Sequence, residues 1–302
     1  MPDEKLRRRE LVMLSGSLAA SIVFGALGVV WGIAASSSVI LFDGVYSLFG
    51  TTLTGVSILA GHAAGRAPTK DFPYGLAVMV PIAVLIQGAG LLGALVYAAT
   101  DAVSTLVDGG SEVSALGIGL YGVVTLLGAM AVTWWLSRSA AISDLVGAEA
   151  QQWRASTVLS AAIVAGSAAA LLLTWWGVHT AARYVDPVLV LLIVVLLVKV
   201  PLVMVRNALR EILEGAPPAA LRATIDETIR AARQRFDLPE PTVRATKTGG
   251  RVYLDVVFVV GHGIWDIDGE DEVRRAIIEQ FRDDRYELWA NIELTTDADI
   301  AQ

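Results

Sequence analysis

Asp43 stands alone among apolar neighbours in "SSSVILFDGVYSLFGTTL", residues 36–53, and is the first side chain in the sequence placed to do chemistry. On a helix, positions i, i+3, i+4 and i+7 share one face, so Asp43, Tyr46, Ser47 and Gly50 line up. A second stretch, "GAEAQQWRASTVLS", repeats the device. There Glu149, Gln152, Trp153 and Ser156 share a face, with Ser160 below them. Carboxylate, amide, phenol and hydroxyl oxygens make a hard, oxygen-rich environment suited to a cation. A charged side chain at the centre of a bilayer costs at least about 2.5–3.5 kcal/mol, and is tolerated when it faces a bundle interior, a water-filled cavity or a bound ion. Two polar faces with one acid each on otherwise apolar helices are expected to meet. The expected site is an oxygen cage built from Asp43, Tyr46, Ser47, Glu149, Gln152 and Ser156. A plainer reading keeps Asp43 near the membrane surface as a cap and Glu149 as an interfacial residue. Buried serines alone add little, since they often bond the i−4 carbonyl.

The elements that must position these residues follow from composition. The chain has 302 residues, 55% hydrophobic and 18% charged, with a mean hydropathy of +0.60. Soluble domains carry about 25% charged residues, so the sequence reads as an integral membrane protein. Ionisable groups are sparse over residues 10–205 and dense over 206–302, which predicts a membrane domain over 1–213 and a cytoplasmic domain over 214–302. Six segments approach the 20 or so apolar residues that a span needs: about 11–34, 38–61, 77–100, 114–136, 146–176 and 185–205. Lys5, Arg7, Arg8, Arg9, Arg66, Lys70, Arg138, Arg206 and Arg210 fall on one side of these spans. The other side holds Arg183 with Asp101, Asp108 and Glu112. Basic residues stay cytoplasmic, so both termini are expected there, in a multi-pass protein of the cell membrane. The net charge of −7 comes mainly from the C-terminal part and offers nothing to nucleic acid. No cysteine is present, so neither a disulfide nor a thiolate metal site is possible. Neither a P-loop nor a dinucleotide fingerprint occurs, which leaves ATP-driven pumping and redox enzymology without support.

The soluble part reads α-β-β-α-β, a small open, ferredoxin-like sheet with helices on one face. Residues 219–236 have helical periodicity, and Gly249-Gly250 joins two strands in a hairpin. "GEDEVRRAIIEQFRDD" is a second helix and "YELWANIELTTD" a last strand. Its core is modest for about 85 residues, so dimerisation is expected. His62, His179 and His262 read as surface residues. His262 with Asp266, Asp268, Glu270 and Asp271 offers a tail metal site, although an acidic turn opening a helix is the simpler reading.

The pattern also resembles a family. "ILFDGVYSLFGTTL", "DFPYGLAVMVPIAVLIQG", "AEAQQWRASTVLS", "YVDPVLVLLIVV" and "LREILEGAPP" are similar to successive phrases of the cation diffusion facilitator transporters. The resemblance implies six transmembrane helices with a cytoplasmic tail, a homodimer, and proton antiport that exports a divalent metal held by four side chains of the second and fifth helices. Carried over by position, those four fall on Tyr46, Gly50, Gln152 and Ser156, or with Trp153 and Thr157 in the fifth helix. The family's glutamate before the third-helix proline is replaced by Val80. Zinc is usually held by imidazole, thiolate or carboxylate, and none of these stands at the four positions. Oxygen-dominated ligation therefore favours Mn²⁺, Fe²⁺, Mg²⁺ or a monovalent cation over zinc, and the expected cargo is a divalent cation left open among Mn²⁺, Fe²⁺, Mg²⁺, Co²⁺ and Zn²⁺. No tightly bound cofactor and no catalytic residue is expected. Two alternatives remain open: a transport-incompetent relative serving as sensor or partner subunit, and a carrier of another cation or solute.

Overall fold

The computed structural model describes residues 2–111, 115–138, 144–281 and 286–299. Glu112 and the last residues of the expected second tail helix, 282–284, lie outside the described residues. The chain forms two compact units, Met1–Gly55 with Gln87–Leu202 and Val56–Ile86 with Val203–Gln302.

The helices of the membrane-capable part are α1 (Pro2–Ala35), α2 (Ser38–Ala64), α3 (Met79–Val107), α4 (Ala115–Ser137), α5 (Asp144–Trp175), the short α6 (His179–Ala182), α7 (Val185–Leu197) and α8 (Lys199–Ile212). Among the described residues, five stretches are long and apolar enough to cross a membrane: Val12–Ala35, Met79–Val107, Ala115–Ser137, Glu149–Trp175 and His179–Ile212. The protein is a multi-pass membrane protein. The last stretch is interrupted at Val198, because Pro201 has no N–H to offer the carbonyl of Leu197. Pro81 does no such harm in α3, since it lies in the first turn, where N–H groups are unpaired anyway.

Local chemistry sets the turn between α1 and α2. Ser36 takes a left-handed conformation, φ 52°, and the Ser37 amide reaches back to the Gly32 carbonyl at 3.0 Å, closing α1. The same Ser37 then caps α2, its Oγ accepting from the Ile40 amide at 3.4 Å. The two helices touch backbone to backbone: a Cβ on Gly44 would lie 2.3 Å from the Val29 nitrogen. Small residues permit such approach where lipid supplies no hydrophobic drive. The core between α2, α3, α4, α5 and α7 holds Val39, Ile40, Leu95, Ile118, Tyr121, Ile163 and Ile193, all buried. A second cluster joins Leu136, Val146 and Trp153 with Phe24 of α1.

The C-terminal sheet has three strands, β1 (Thr242–Thr248), β2 (Arg251–Val259) and β3 (Glu287–Thr295), in the order β1-β2-β3. β1 and β2 are antiparallel with Thr248 opposite Arg251, and β2 and β3 are parallel. Helices α9 (Ala219–Phe236) and α10 (Ile267–Gln280) supply Leu221, Ile225, Ile229, Val273 and Ile277. These cover Val252, Leu254, Val256 and Phe258 of β2, every second residue of that strand.

Candidate functional site

Asp43 sits on the second turn of α2, half-buried, with its side chain turned to α4. Its Oδ2 accepts a hydrogen bond from the Tyr121 hydroxyl at 2.6 Å. That length is typical of an O–H group donating to a charged oxygen, about twice as strong as a neutral bond. Tyr121 is completely buried, and its ring meets Trp31 of α1 edge-on, centroids 5.9 Å apart. Gly28 makes room for it, since a Cβ there would lie 2.7 Å from the Tyr121 oxygen. Tyr46 and Ser47 are half-buried one turn on, with Tyr46 leaning on the Phe42 ring at 5.5 Å.

Glu149 has a different neighbour. Its Oε2 accepts from the Ser17 hydroxyl of α1 at 2.6 Å, and that hydroxyl oxygen accepts in turn from the Trp153 indole at 2.8 Å. Ser17 is 1% exposed and Trp153 6%, so this chain is shut inside the helices. Trp153 packs edge-on to Phe24. One turn on, Thr157 donates to the Trp153 carbonyl at 2.8 Å and meets Thr133 of α4 at 3.2 Å. Gln152 and Ser156 are exposed. Of the two fifth-helix registers, the inward face is therefore Trp153 with Thr157, and the expected contribution of Gln152 and Ser156 is not brought to the other site residues. The cause is helical pitch: Glu149 points inward through its i+4 partner Trp153, so its i+3 partner Gln152 lies a further 100° or so round the helix.

Helix α1 acts as a ruler between the acids. Gly28 meets Gly44, the residue after Asp43, and Ser17 bonds Glu149. Eleven residues of α-helix separate those two levels, about 16 Å at 1.5 Å per residue. Asp43 and Glu149 are thus two separate polar stations, and the single cage expected from sequence is divided. Among the described residues, no group of three or more His, Asp or Glu side chains is gathered to hold a metal.

Tyr121 and Ser17, which complete the two stations, were not anticipated. A lone tyrosine in the apolar "GLYGVVTLLG" is a signal of sorts, since a buried phenol needs an acceptor. Ser17 carries no comparable signal, because α1 holds several serines.

In the tail, His262 is exposed, and Asp266 caps α10, its Oδ1 accepting from the Gly269 amide at 2.8 Å. Glu270 and Asp271 pair with Arg274 at 2.6 and 3.0 Å. This acidic turn is occupied with its own helix. Arg251 is 5% exposed on its side chain and pairs with Glu287 at 2.8 Å. It stacks over the Trp289 ring at 4.5 Å and donates to the Tyr74 carbonyl. The Trp289 indole and the Arg251 guanidinium together hold the Glu287 carboxyl below the usual range for glutamate.

Residues 15–213, well over half of the chain, match the family model described as the cation efflux transmembrane domain. No curated protein matches the chain.

Proposed function

The chain belongs to the cation efflux family, and from that premise we propose a secondary transporter that exports a divalent cation from the cytoplasm in exchange for protons. In this reading α2 is the sixth span, both termini are cytoplasmic, and the working unit is a homodimer in the cell membrane. The observation that carries it is the Asp43–Tyr121 bond: an acid inside a cation efflux bundle, held by one phenol and, among the described residues, by no basic side chain. A carboxylate so placed exchanges its partner for a cation or a proton without first breaking an ion pair.

Glu149 is the cytoplasm-facing acid and Asp43 the one nearer the external end, visited in turn. Tyr46 and Ser47 add oxygen at the Asp43 level, and Ser17 does so at the Glu149 level. The donors are oxygen throughout, which suits Mn²⁺, Fe²⁺ or Mg²⁺ better than Zn²⁺. Burial disfavours the charged form of a carboxylate, and protonation from outside is then the means of releasing the ion. Metal and proton fluxes in proteoliposomes, followed with a metal-sensitive and a pH-sensitive dye, test this. Mn²⁺ uptake with counterflow of protons is expected, lost in Asp43→Asn; normal flux in that variant refutes the mechanism.

A second reading, a non-transporting partner or sensor subunit, is favoured by the lack of any three-ligand cluster among the described residues. Wild-type vesicles without flux for any of Mn²⁺, Fe²⁺, Mg²⁺, Co²⁺ or Zn²⁺ would decide for it.

A further inference from the structure

We propose that Asp186 is a proton-binding station at the external end of the bundle, exchanging its proton with outside water through a cavity with room for one water molecule. The inference rests on the proton-coupled reading above and shares its orientation. Asp186 lies in the first turn of α7 and is 3% exposed. Its Oδ1 accepts from the Ser37 hydroxyl at 2.9 Å, and the first amides of α2, at Ser38 and Val39, approach the same carboxylate. Its Oδ2 has no hydrogen-bond partner among the described residues. A buried carboxylate oxygen left in that condition is costly unless water, a proton or an ion serves it.

The surroundings choose among those three. Asp186 lines a cavity of about 10 Å³ together with Ser111, Ser167 and Arg183, close to the smallest space that holds a water. The Ser167 hydroxyl spends its hydrogen on the Val164 carbonyl at 2.9 Å, which leaves its lone pairs to accept. Arg183 is exposed and so leads from the cavity to the surface. A metal ion with its ligand shell has no room here, and the Arg183 cation opposes it. A hydronium ion needs no such room: it gives one proton to Oδ2, an O–H bond forms, the carboxylate becomes a neutral acid and a water molecule is left.

Among the described residues, two charged groups lie near Asp186. Asp101 of α3 accepts from Ser38 Oγ at 2.7 Å, one residue from the Ser37 that bonds Asp186. Arg183, preceding α7, lines the same cavity. Among the described residues at the cavity, α4 presents Ala115 and Ile118 and α5 presents Ser167 and Ala170, none of them titratable.

The test is infrared titration of the full-length protein in lipid nanodiscs, read at the carboxylic acid C=O stretch. A titrating band is expected in the wild type, kept in Asp43→Asn and lost in Asp186→Asn, whose amide still offers Ser37 an acceptor. An identical band in wild type and Asp186→Asn overturns the station. If that variant fails to fold, Ser167→Val, which fills the cavity, gives the second readout. Slowed deuterium exchange of the band supports the route and unchanged exchange overturns it. Flux in proteoliposomes separates this inference from the one it rests on. Transport with a silent Asp186 sinks the station alone, and a titrating Asp186 without any transport sinks the carrier reading alone.

Discussion

The Asp43–Tyr121 contact makes a prediction that needs no transport assay. Tyr121 has no exposed surface, and its hydroxyl donates to the carboxylate at 2.6 Å. A hydrogen bond to a charged group contributes about 1.5–3 kcal/mol net, and an oxygen left buried without its partner costs about 1–3 kcal/mol. Tyr121→Phe should therefore destabilise the folded bundle by about 2 kcal/mol, roughly a thirtyfold change in the unfolding equilibrium at 1.4 kcal/mol per factor of ten. Asp43→Asn keeps an acceptor but removes the charge, so Tyr121→Phe on that background should cost only about 1 kcal/mol, as for a neutral bond. The assay is a double-mutant cycle on reversible unfolding of the full chain in mixed micelles. A coupling of about 1 kcal/mol or more is expected, because the two groups are in contact. A coupling under about 0.3 kcal/mol, the ordinary error of additivity, would show that the carboxylate is not held charged by the phenol. The station at Asp43 would then fall.

Three further outcomes follow from the same contacts. Ser17→Ala removes the oxygen shared by Glu149 and Trp153 and should destabilise by about 1.5–3 kcal/mol, with Ser17→Thr restoring most of it in the same unfolding assay. Gly28→Ala places a Cβ 2.6 Å from Gly44 Cα and 2.7 Å from the Tyr121 oxygen; overpacking of that kind costs about 1–3 kcal/mol, and it should abolish transport while Gly55→Ala, with open space around it, leaves it intact. In the tail, Glu287 has its carboxyl value lowered by Trp289 and Arg251. Its contribution is therefore complete above the ordinary glutamate range and is lost as the pH falls through the lowered value. Because Glu287 is 58% exposed, no more than about 1 kcal/mol is at stake. Hydrogen exchange at residues 251–259 should rise in that acid window, and Glu287→Gln should remove the step.

Helix positions were legible because lipid demands long apolar runs, and the tail because Gly249-Gly250 and alternating β2 residues announce a hairpin and a covered face. The break at Val198 was not anticipated, although Pro201 carried the signal. The two acids were also visible, since a lone Asp43 in an apolar run has no other use for its charge. Their partners were not. Tyr121 lies 78 residues from Asp43 and Ser17 lies 132 from Glu149, and helical periodicity says nothing about which neighbouring helix a face will meet. The fifth-helix register stayed open for a related reason. Glu149 is three residues from Gln152 and four from Trp153, spacings that a 3.6-residue turn leaves almost equivalent until packing chooses one.

The separation of the stations bears on what kind of carrier this chain can be. Oxygen ligands stand 2.0–2.6 Å or so from a hard divalent ion, so one ion spans about 5 Å between opposed carboxylates, far less than the roughly 16 Å that eleven residues of α1 span at the ideal helical rise. On this spacing a single bound ion does not join Asp43 to Glu149, and among the described residues each acid is held by a hydroxyl donor. Movement of a cation between them must exchange one hydroxyl partner for another, with Ser17 released at the first step and Tyr121 at the second. The close α1–α2 contact at Gly28 and Gly44 keeps the Asp43 level rigid against α1, whereas the Glu149 level is joined to α1 through the Ser17 and Trp153 side chains. Side-chain bonds part more readily than apposed backbones. In the proposed cycle the opening motion therefore belongs at the Ser17–Trp153 end, and a disulfide engineered between residues 17 and 153 should arrest transport until it is reduced. Undiminished transport with that bond formed would place the moving part elsewhere and overturn this assignment.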